Sequence, residues 1–481
     1  MSGRLAATAP KLTAVVGFLV VLELASGILQ AWYPPLLPSI MERYGITAGE
    51  LNWVSAVYLL STAVCVPLIT KLGDLYGHRR LLIISAALVA LGSVLVAVAP
   101  TFGVLLVGRA IQGPLLAFLS LEFALVRERA GDRAGRPIAL LLGALTIGGA
   151  AGFLLSGVTR QYLSLSATLW FPAVAMIIVV PVAALLVPET TVRKAGRADW
   201  IGAGLLGLGL VLVLAAVGNG GRWGWTSTAT LGGIVGGLVV LAVWVAVERR
   251  VAVPLVDLSL LARGALGLPL LAGFFFGAEL FGGQPATAAF LGLPARYGFG
   301  LGLGPAAIGA ALFVFGVAAV LGTLVAPLLA ERFGSRVPVV GGALVTAAGY
   351  LLTVLAHTSV PGFVVWQVLI GIGNGLVMAA LSAYVVARAP ADSVGIGSGI
   401  FNVSRTVGGA VAGAAFVAVM AGMVTTLPGA PKPVSSEASF VTVWLVCAAV
   451  ALVVAGLAGR LAEVPAEAAL STPAGPGSPV R

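Results

Sequence analysis

Apolar runs, most of them close to the roughly 20 residues a helix needs to cross a hydrocarbon core, recur along almost the whole of this 481-residue chain. Short polar turns separate them. The pattern predicts an all-α integral membrane protein with fourteen transmembrane helices, at 12–36, 51–69, 81–98, 103–126, 138–159, 169–187, 201–217, 231–247, 268–291, 305–329, 337–355, 362–387, 395–424 and 440–458. A mean hydropathy of +1.09 with 9% charged residues excludes an ordinary soluble domain. The net charge of +10 does not indicate nucleic acid, because the basic residues gather in turns on one side. With both termini placed in the cytoplasm, five basic residues (Arg43, Arg160, Arg222, Arg296, Lys432) fall outside, and Arg109 and Arg405 fall within spans. The rest of the 27 lie inside, as the positive-inside rule requires. Arg4 and Lys11 mimic the start of a signal peptide. The run that follows is too long and lacks a small-residue cleavage site, so an uncleaved first helix is expected. Cys65 and Cys447 sit inside apolar spans and indicate neither a disulfide nor a metal site.

Between the second and third spans lies Gly73-Asp74-Leu75-Tyr76-Gly77-His78-Arg79-Arg80. The two glycines allow a sharp turn. Asp74 is placed to sit at the N-terminal end of the following helix, and the paired arginines anchor the inner face. The chain then repeats itself. Arg43-Tyr44-Gly45 after helix 1 returns as Arg296-Tyr297-Gly298 after helix 9, and Asp74-Leu75-Tyr76-Gly77-His78-Arg79 returns as Glu331-Arg332-Phe333-Gly334-Ser335-Arg336. Thr146-Ile147-Gly148-Gly149-Ala150 in helix 5 returns as Thr406-Val407-Gly408-Gly409-Ala410 in helix 13. Three echoes in one order predict two six-helix pseudo-repeat halves plus an inserted helix pair, with a site between the halves near the bilayer midplane. The expected divisions are 1–190 and 265–464 for the halves, 191–264 for the linker and helices 7 and 8, and 465–481 for a disordered tail.

The hairpin motif resembles the signature loop of the major facilitator superfamily of secondary transporters. Gly108-Arg109-Ala110-Ile111-Gln112-Gly113 in helix 4 resembles that family's Arg-x-x-Gln-Gly motif. Asp199-Trp200-Ile201-Gly202-Ala203, Gly220-Gly221-Arg222-Trp223-Gly224-Trp225 and Glu248-Arg249-Arg250 with Pro254-Leu255 resemble the inserted pair of the fourteen-helix drug:proton antiporters. The similarity runs from about Leu12 to Arg460. It implies export of lipophilic, often cationic, drugs and antibiotics in exchange for protons. Two places depart from the family. Helix 5 reads Gly148-Gly149-Ala150-Ala151-Gly152-Phe153, without the antiporter motif's proline and last glycine; Gly149 is expected to keep the backbone slim there. Helix 1 lacks Asp-x-x-x-x-Asn ahead of Pro38-Ser39-Ile40; its only acid is Glu23, and Gln30 lies near the place of the family's acid.

An ionisable side chain near the bilayer centre costs roughly 2.5–3.5 kcal/mol on insertion scales, so such residues face a cavity or a partner. Glu23, Arg109, Glu122, Glu279 and Arg405 qualify. Glu23 lies about 11 residues into helix 1, roughly 17 Å at the helical rise, and Glu279 lies about as far into helix 9. That offset predicts a central cavity lined by one carboxylate from each half. Desolvation favours the neutral acid, which suits a group that loads and releases protons; structural hydrogen bonding is the alternative. Arg109 stays charged and cannot carry the proton. It either registers a carboxylate's protonation or bonds helix carbonyls, with Gln112 on its face. Glu122 is expected to partner the basic inner loops (Arg79, Arg127, Arg129) rather than couple protons. Asn402 and Arg405 are candidates for structural or gating roles alike. Trp32, Tyr33 and Phe274-Phe275-Phe276 are expected to pack against helices or lipid rather than stack on a substrate. The resulting site set is Glu23, Glu279, Arg109, Gln112 and Gln30 for coupling and cavity, and Gly73, Asp74, Gly77, Arg79, Arg80, Gly148, Gly149 and Gly152 for gating.

No Gly-x-x-x-x-Gly-Lys-Ser/Thr loop is present, so an ATP-driven pump is unsupported. His78 and His357 are expected at opposite membrane edges, and no catalytic or metal-binding cluster is visible. The chain is not read as an enzyme, and no cofactor is expected. Its expected partners are protons, a small-molecule substrate and the lipid bilayer. The reading is a monomeric, proton-coupled exporter of lipophilic, cationic or zwitterionic compounds in a bacterial cell membrane, working by alternating access. A proton-coupled importer of a small nutrient, or a transport-dead sensor or scaffold of the same fold, stands as the alternative.

Overall fold

The computed structural model describes residues 12–130, 135–188, 199–251, 266–388, 394–426 and 433–463. Arg193, Lys194, Arg197, Pro254, Leu255 and the tail from 465 lie outside the described residues. A chain in hydrocarbon must bond its backbone polar groups internally, and the apolar runs do so as fourteen long helices. They are α1 (Leu12–Gln30, resumed as Leu37–Tyr44 after a 3-10 turn at Pro34–Leu36), α2 (Trp53–Tyr76), α3 (His78–Val98) and α4 (Phe102–Ile111, resumed as Ala117–Ala130 after Gly113–Leu116). Next come α5 (Gly135–Tyr162), α6 (Leu165–Leu186), α7 (Trp200–Trp223) and α8 (Thr228–Glu248). The last six are α9 (Gly267–Gly292), α10 (Pro305–Phe333), α11 (Val337–Leu355), α12 (Val360–Arg388), α13 (Val394–Gly422) and α14 (Glu437–Ala458).

Two of the expected spans are broken rather than continuous. Pro34, Pro35 and Pro114 lack the amide hydrogen a helix interior needs, so α1 and α4 each pass through a 3-10 turn and re-form. Thirteen of the helices are long and apolar enough to span a membrane among the described residues. The exception is α9, whose Glu279, Gln284 and glycines lower its hydropathy. Most of its residues are buried against other helices, so it does not need a fully apolar surface.

The packing repeats as the sequence does. In the first half α1 lies on α5 and α6, α2 on α4, and α3 on α4 and α6. Eight helices later α9 lies on α13 and α14, α10 on α12, and α11 on α12 and α14. The turns repeat as well. Gly45 and Gly298 both take left-handed backbone (φ 60° and 85°), and Gly77 and Gly334 close their hairpins at φ 105° and 95°. A side chain would be strained at these angles, which is why glycine stands at both members of each pair. The inserted helices α7 and α8 pair with each other, and α7 rests on α13 and α2. Asp199 starts α7 by accepting from the Gly202 amide at 2.7 Å, an N-cap.

The halves meet where α5 lies on α10 and α2 on α13. Within each half the closest approach is backbone on backbone. A Cβ added to Gly148 would collide with the Leu24 carbonyl oxygen, and one added to Gly27 with that of Leu145. The counterparts are Gly408 against Phe274 and Gly277 against Arg405, again at carbonyl oxygens. Gly152 adds a third contact, with a Cβ there 2.5 Å from the Ile28 oxygen. Gly149, which was expected to provide the close approach, would meet nothing within 4 Å. It lies off the helix face turned to α1, and its neighbours Gly148 and Gly152 make the contact instead.

Gly148→Leu should therefore destabilise the protein by at least about 1–3 kcal/mol, the usual cost of overpacking, because backbone atoms cannot repack around it. Gly149→Leu should stay within about 0.5 kcal/mol of the parent. Thermal unfolding of the two purified variants checks this, and equal melting would remove the role assigned to the α1–α5 contact.

Candidate functional site

In the first half α1 and α4 each carry one acid inward. Glu23 is 1% exposed and Glu122 is 0% exposed; their carboxyl groups lie close enough to interact, and Glu23 Oε2 and both Glu122 oxygens have no donor among the described residues. A proton on one of the two would let them bond to each other, since an ionised carboxylate only accepts. Neither makes an ion pair among the described residues. This corrects the expectation that Glu122 partners the basic loops. Glu122 shares its helix face with Phe118 and Leu125, both fully buried, and follows them inward, while Arg127 is exposed. Arg79 donates instead to the Ala184 carbonyl oxygen at 2.5 Å.

Arg109 lies in the last turn before the break in α4. Its guanidinium sits between the rings of Tyr33 and Tyr58, 3.8 Å and 4.4 Å from their centroids. Its Nε donates to the Val54 carbonyl oxygen at 3.0 Å and its Nη1 to Gln112 Oε1 at 2.6 Å. Gln112 Nε2 donates in turn to the Tyr33 hydroxyl and to Ser93 Oγ, both at 2.8 Å. Arg109 and Gln112 do share a face, and the arginine bonds a carbonyl rather than a carboxylate. Tyr58, whose ring faces the Arg109 guanidinium, also lies within electrostatic reach of Glu23. Gln30 does not join them; its Nε2 donates to Ser26 one turn back, at 3.1 Å. Trp32 donates to the Thr168 carbonyl oxygen and stacks on Phe171, which makes it part of the scaffold.

In the second half Glu279, 2% exposed, accepts from Asn374 Nδ2 at 3.4 Å and lies close to the Tyr350 hydroxyl. The Tyr350 hydroxyl also meets the Cys447 thiol. Beside them lies a cavity of about 20 Å³ whose polar lining is Gln284, Thr287, Tyr350, Gln367 and Asn374. Glu279 and Glu23 do not line one central cavity, contrary to expectation. The glycine contacts align Leu24 with Phe274, and hence Glu23 with Gly273. Glu279 stands six positions further along α9, about 9 Å at the helical rise, and on a different face. Counting from the start of each apolar run cannot reveal this, because helix contact rather than helix start sets the register.

Arg405 is buried on α13, with Nη2 donating to Asn402 Oδ1 at 2.8 Å, Nη1 2.6 Å from Met378 Sδ and the Phe281 ring centroid 5.3 Å away. It makes no ion pair among the described residues.

At the first hairpin Gly73 is packed against the Leu121 side chain, and Arg80 is exposed. Asp74 does not cap α3, whose cap residue Gly77 has no side-chain cap bond. It lies inside the last turn of α2 and pairs with His78, Oδ1 to Nε2, at 3.2 Å. At the second hairpin the acid comes from far along the chain. Glu463 Oε2 accepts from the Ser335 amide and hydroxyl at 3.1 and 3.0 Å, and its Oε1 stands 3.3 Å from Arg336 Nε.

Sequence reasoning missed Tyr58, Tyr350, Asn374, Gln284 and Gln367. The three amides had a legible signal, as uncharged polar residues inside apolar runs that do not bond their own helix.

Two halves that repeat one helix packing, each with acids buried in its interior, define a multi-pass membrane transporter fold. The family model described as Major Facilitator Superfamily matches residues 19–413 and 286–479, and the chain belongs to that superfamily. It is 28% identical over 396 residues to the multidrug resistance protein Stp of Mycobacterium tuberculosis (strain CDC 1551 / Oshkosh), covering 80% of this chain and 71% of that protein. It is 30% identical over 410 residues to the cephamycin export protein CmcT of Amycolatopsis lactamdurans, covering 83% of each. The crystal structure of the human organic anion transporter MFSD10 (TETRAN) shares the fold with a TM-score of 0.63 at 17% identity, covering 93% of this chain and 100% of that one.

Arg109→Lys keeps the charge but loses the plane between two rings and the fixed fork of donors. It should destabilise the protein by about 1.5–3 kcal/mol, the range for hydrogen bonds to charged groups. Thermal unfolding of the purified variant measures this, and an unchanged melting temperature would show that the stacked guanidinium contributes nothing.

Proposed function

We propose that this chain is a proton-coupled secondary transporter that exports lipophilic, cationic or zwitterionic drugs or antibiotics from a bacterial cell. It works as a monomer by alternating access, with both termini in the cytoplasm and the halves divided near residues 190 and 265. The names of the relatives, one a multidrug resistance protein and one an export protein, support the direction and the kind of cargo. The observation that carries the coupling is the adjacent Glu23–Glu122 pair, buried in the membrane interior with no donor or counter-ion among the described residues.

That pair holds a proton between two helices of one half. Losing it leaves two like charges in a region of low dielectric with no counter-ion, which is strongly unfavourable. The ionised pair therefore favours an arrangement that admits water between α1 and α4. Movement of α1 is passed to α5 through the Gly27–Gly148 contact, and from α5 to α10 across the interface between the halves. Binding and release of the proton thereby bias two arrangements of the halves. The hairpin residues Gly73, Asp74, Gly77 and Arg79 act as latches at the membrane edge, with the Asp74–His78 pair and the Arg79–Ala184 bond holding one arrangement.

Proteoliposomes with an imposed pH gradient test the coupling. Glu23→Gln and Glu122→Gln should each lower proton-driven transport by at least about tenfold, and the double variant should be no worse than either, because the two act as one unit. Undiminished transport by both single variants would overturn the assignment. Direction is tested in whole cells: ethidium accumulation should rise when the proton gradient is collapsed, and a fall would mean import.

A further inference from the structure

We propose that the cavity in the second half is a subsite for a primary ammonium group carried by an amphiphilic substrate. The inference rests on the export reading, since it takes this cavity as part of the substrate's path. At about 20 Å³ the cavity has room for about one water molecule, and an ammonium head is of that size.

The lining selects for what such a head offers. Asn374 lines the cavity and donates Nδ2 to Glu279 Oε1 at 3.4 Å. An amide nitrogen cannot accept, so the carboxylate fixes which end of the amide turns toward it. Asn374 Oδ1 is left without a partner, although the side chain is only 4% exposed. A buried acceptor with no donor is costly. Gln367, 4% exposed, and Gln284, Thr287 and Tyr350 add further oxygens to the same lining. The cavity thus presents one unpartnered acceptor and four further groups able to accept, with a carboxylate bonded directly behind Asn374.

An ammonium has three donors, one positive charge and no lone pair to clash with those oxygens. Arg405, the buried cation of this half, does not compete for Glu279, because its Nη2 goes to Asn402. The remaining wall is apolar: Leu280, Phe315 and Ile370 offer a surface for hydrocarbon attached to the ammonium, and the Phe315 ring suits an aromatic body.

Size and charge separate this site from a general drug cavity. Purified full-length protein in lipid nanodiscs is titrated calorimetrically with 2-phenylethylammonium, its N,N,N-trimethyl analogue and 2-phenylethanol. The primary ammonium should bind at least about tenfold tighter than either comparison compound, the loss expected for missing charged hydrogen bonds. Glu279→Gln and Asn374→Leu should each abolish that preference while leaving thermal unfolding cooperative. The three-ligand comparison on the unaltered protein needs no variant, so a misfolded mutant does not decide the matter. Equal binding of the trimethyl compound, or no measurable binding of the primary ammonium, would overturn the subsite. Proton-driven ethidium export is measured with the same purified protein reconstituted into proteoliposomes. Its persistence alongside failed discrimination removes the subsite alone, whereas its absence removes the export reading beneath it.

Discussion

Contact of one helix backbone with another, possible only where glycine removes the side chain, is the constraint on which the rest of this protein depends. Lipid tails are as apolar as leucine, so helices in a bilayer gain nothing from hiding apolar surface from one another and must associate through close packing. Gly27 and Gly148 lock α1 to α5, and Gly277 and Gly408 lock α9 to α13 in the same manner. These contacts fix register, and register decides chemistry. It turns Glu23 toward Glu122 on α4 and carries Glu279 further along its helix, to Asn374 on α12 and Tyr350 on α11.

The buried charges follow a second rule. Glu23, Glu122 and Glu279 make no ion pair with Arg109 or Arg405 among the described residues. Each arginine is engaged otherwise, Arg109 by a carbonyl, an amide oxygen and two ring faces, and Arg405 by an amide oxygen and a sulfur, its Nε being left without a partner. Had the acids paired with those arginines, they would be held ionised and fixed in place, since breaking a buried pair is strongly unfavourable. Keeping them apart leaves the carboxyl groups free to exchange protons or meet a ligand. On the proposed reading, the arginines are framework and the glutamates are the variable charges.

The helical framework was legible in the sequence because it rests on local signals. Apolar runs mark the spans, and Gly45, Gly77, Gly298 and Gly334 mark the turns, since only glycine is unstrained at their φ angles. The repeat was legible for the same reason, as matched turns demand matched glycines. What was not legible depends on how helices face one another. The inward turn of Glu122, the depth of Glu279, the open surroundings of Gly149 and the pairing of Asp74 with His78 all follow from packing that no single run encodes. The amides around Glu279 were visible as residues, but their convergence on one cavity requires α9 and α12 to be brought together.

The repeat relates backbones without relating sites. By the glycine register, the place of Glu23 is held by Gly273 in the second half, and the place of Glu279 by Leu29 in the first. At these two positions each half has an acid where the other has a residue that cannot ionise. A carboxyl pair within the first half and a carboxylate-backed cavity within the second share no side chain. If the proposed roles hold, a proton on one and a ligand at the other do not compete for one group. They can influence each other only by favouring different arrangements of the halves, through α5 on α10 and α2 on α13. Such coupling is reciprocal for binding: whatever the proton does to ligand affinity, the ligand does to proton affinity by the same factor. On the proposed reading, exchange is a property of the interface between the halves, and a substitution there can uncouple the two ligands while leaving both proposed sites intact.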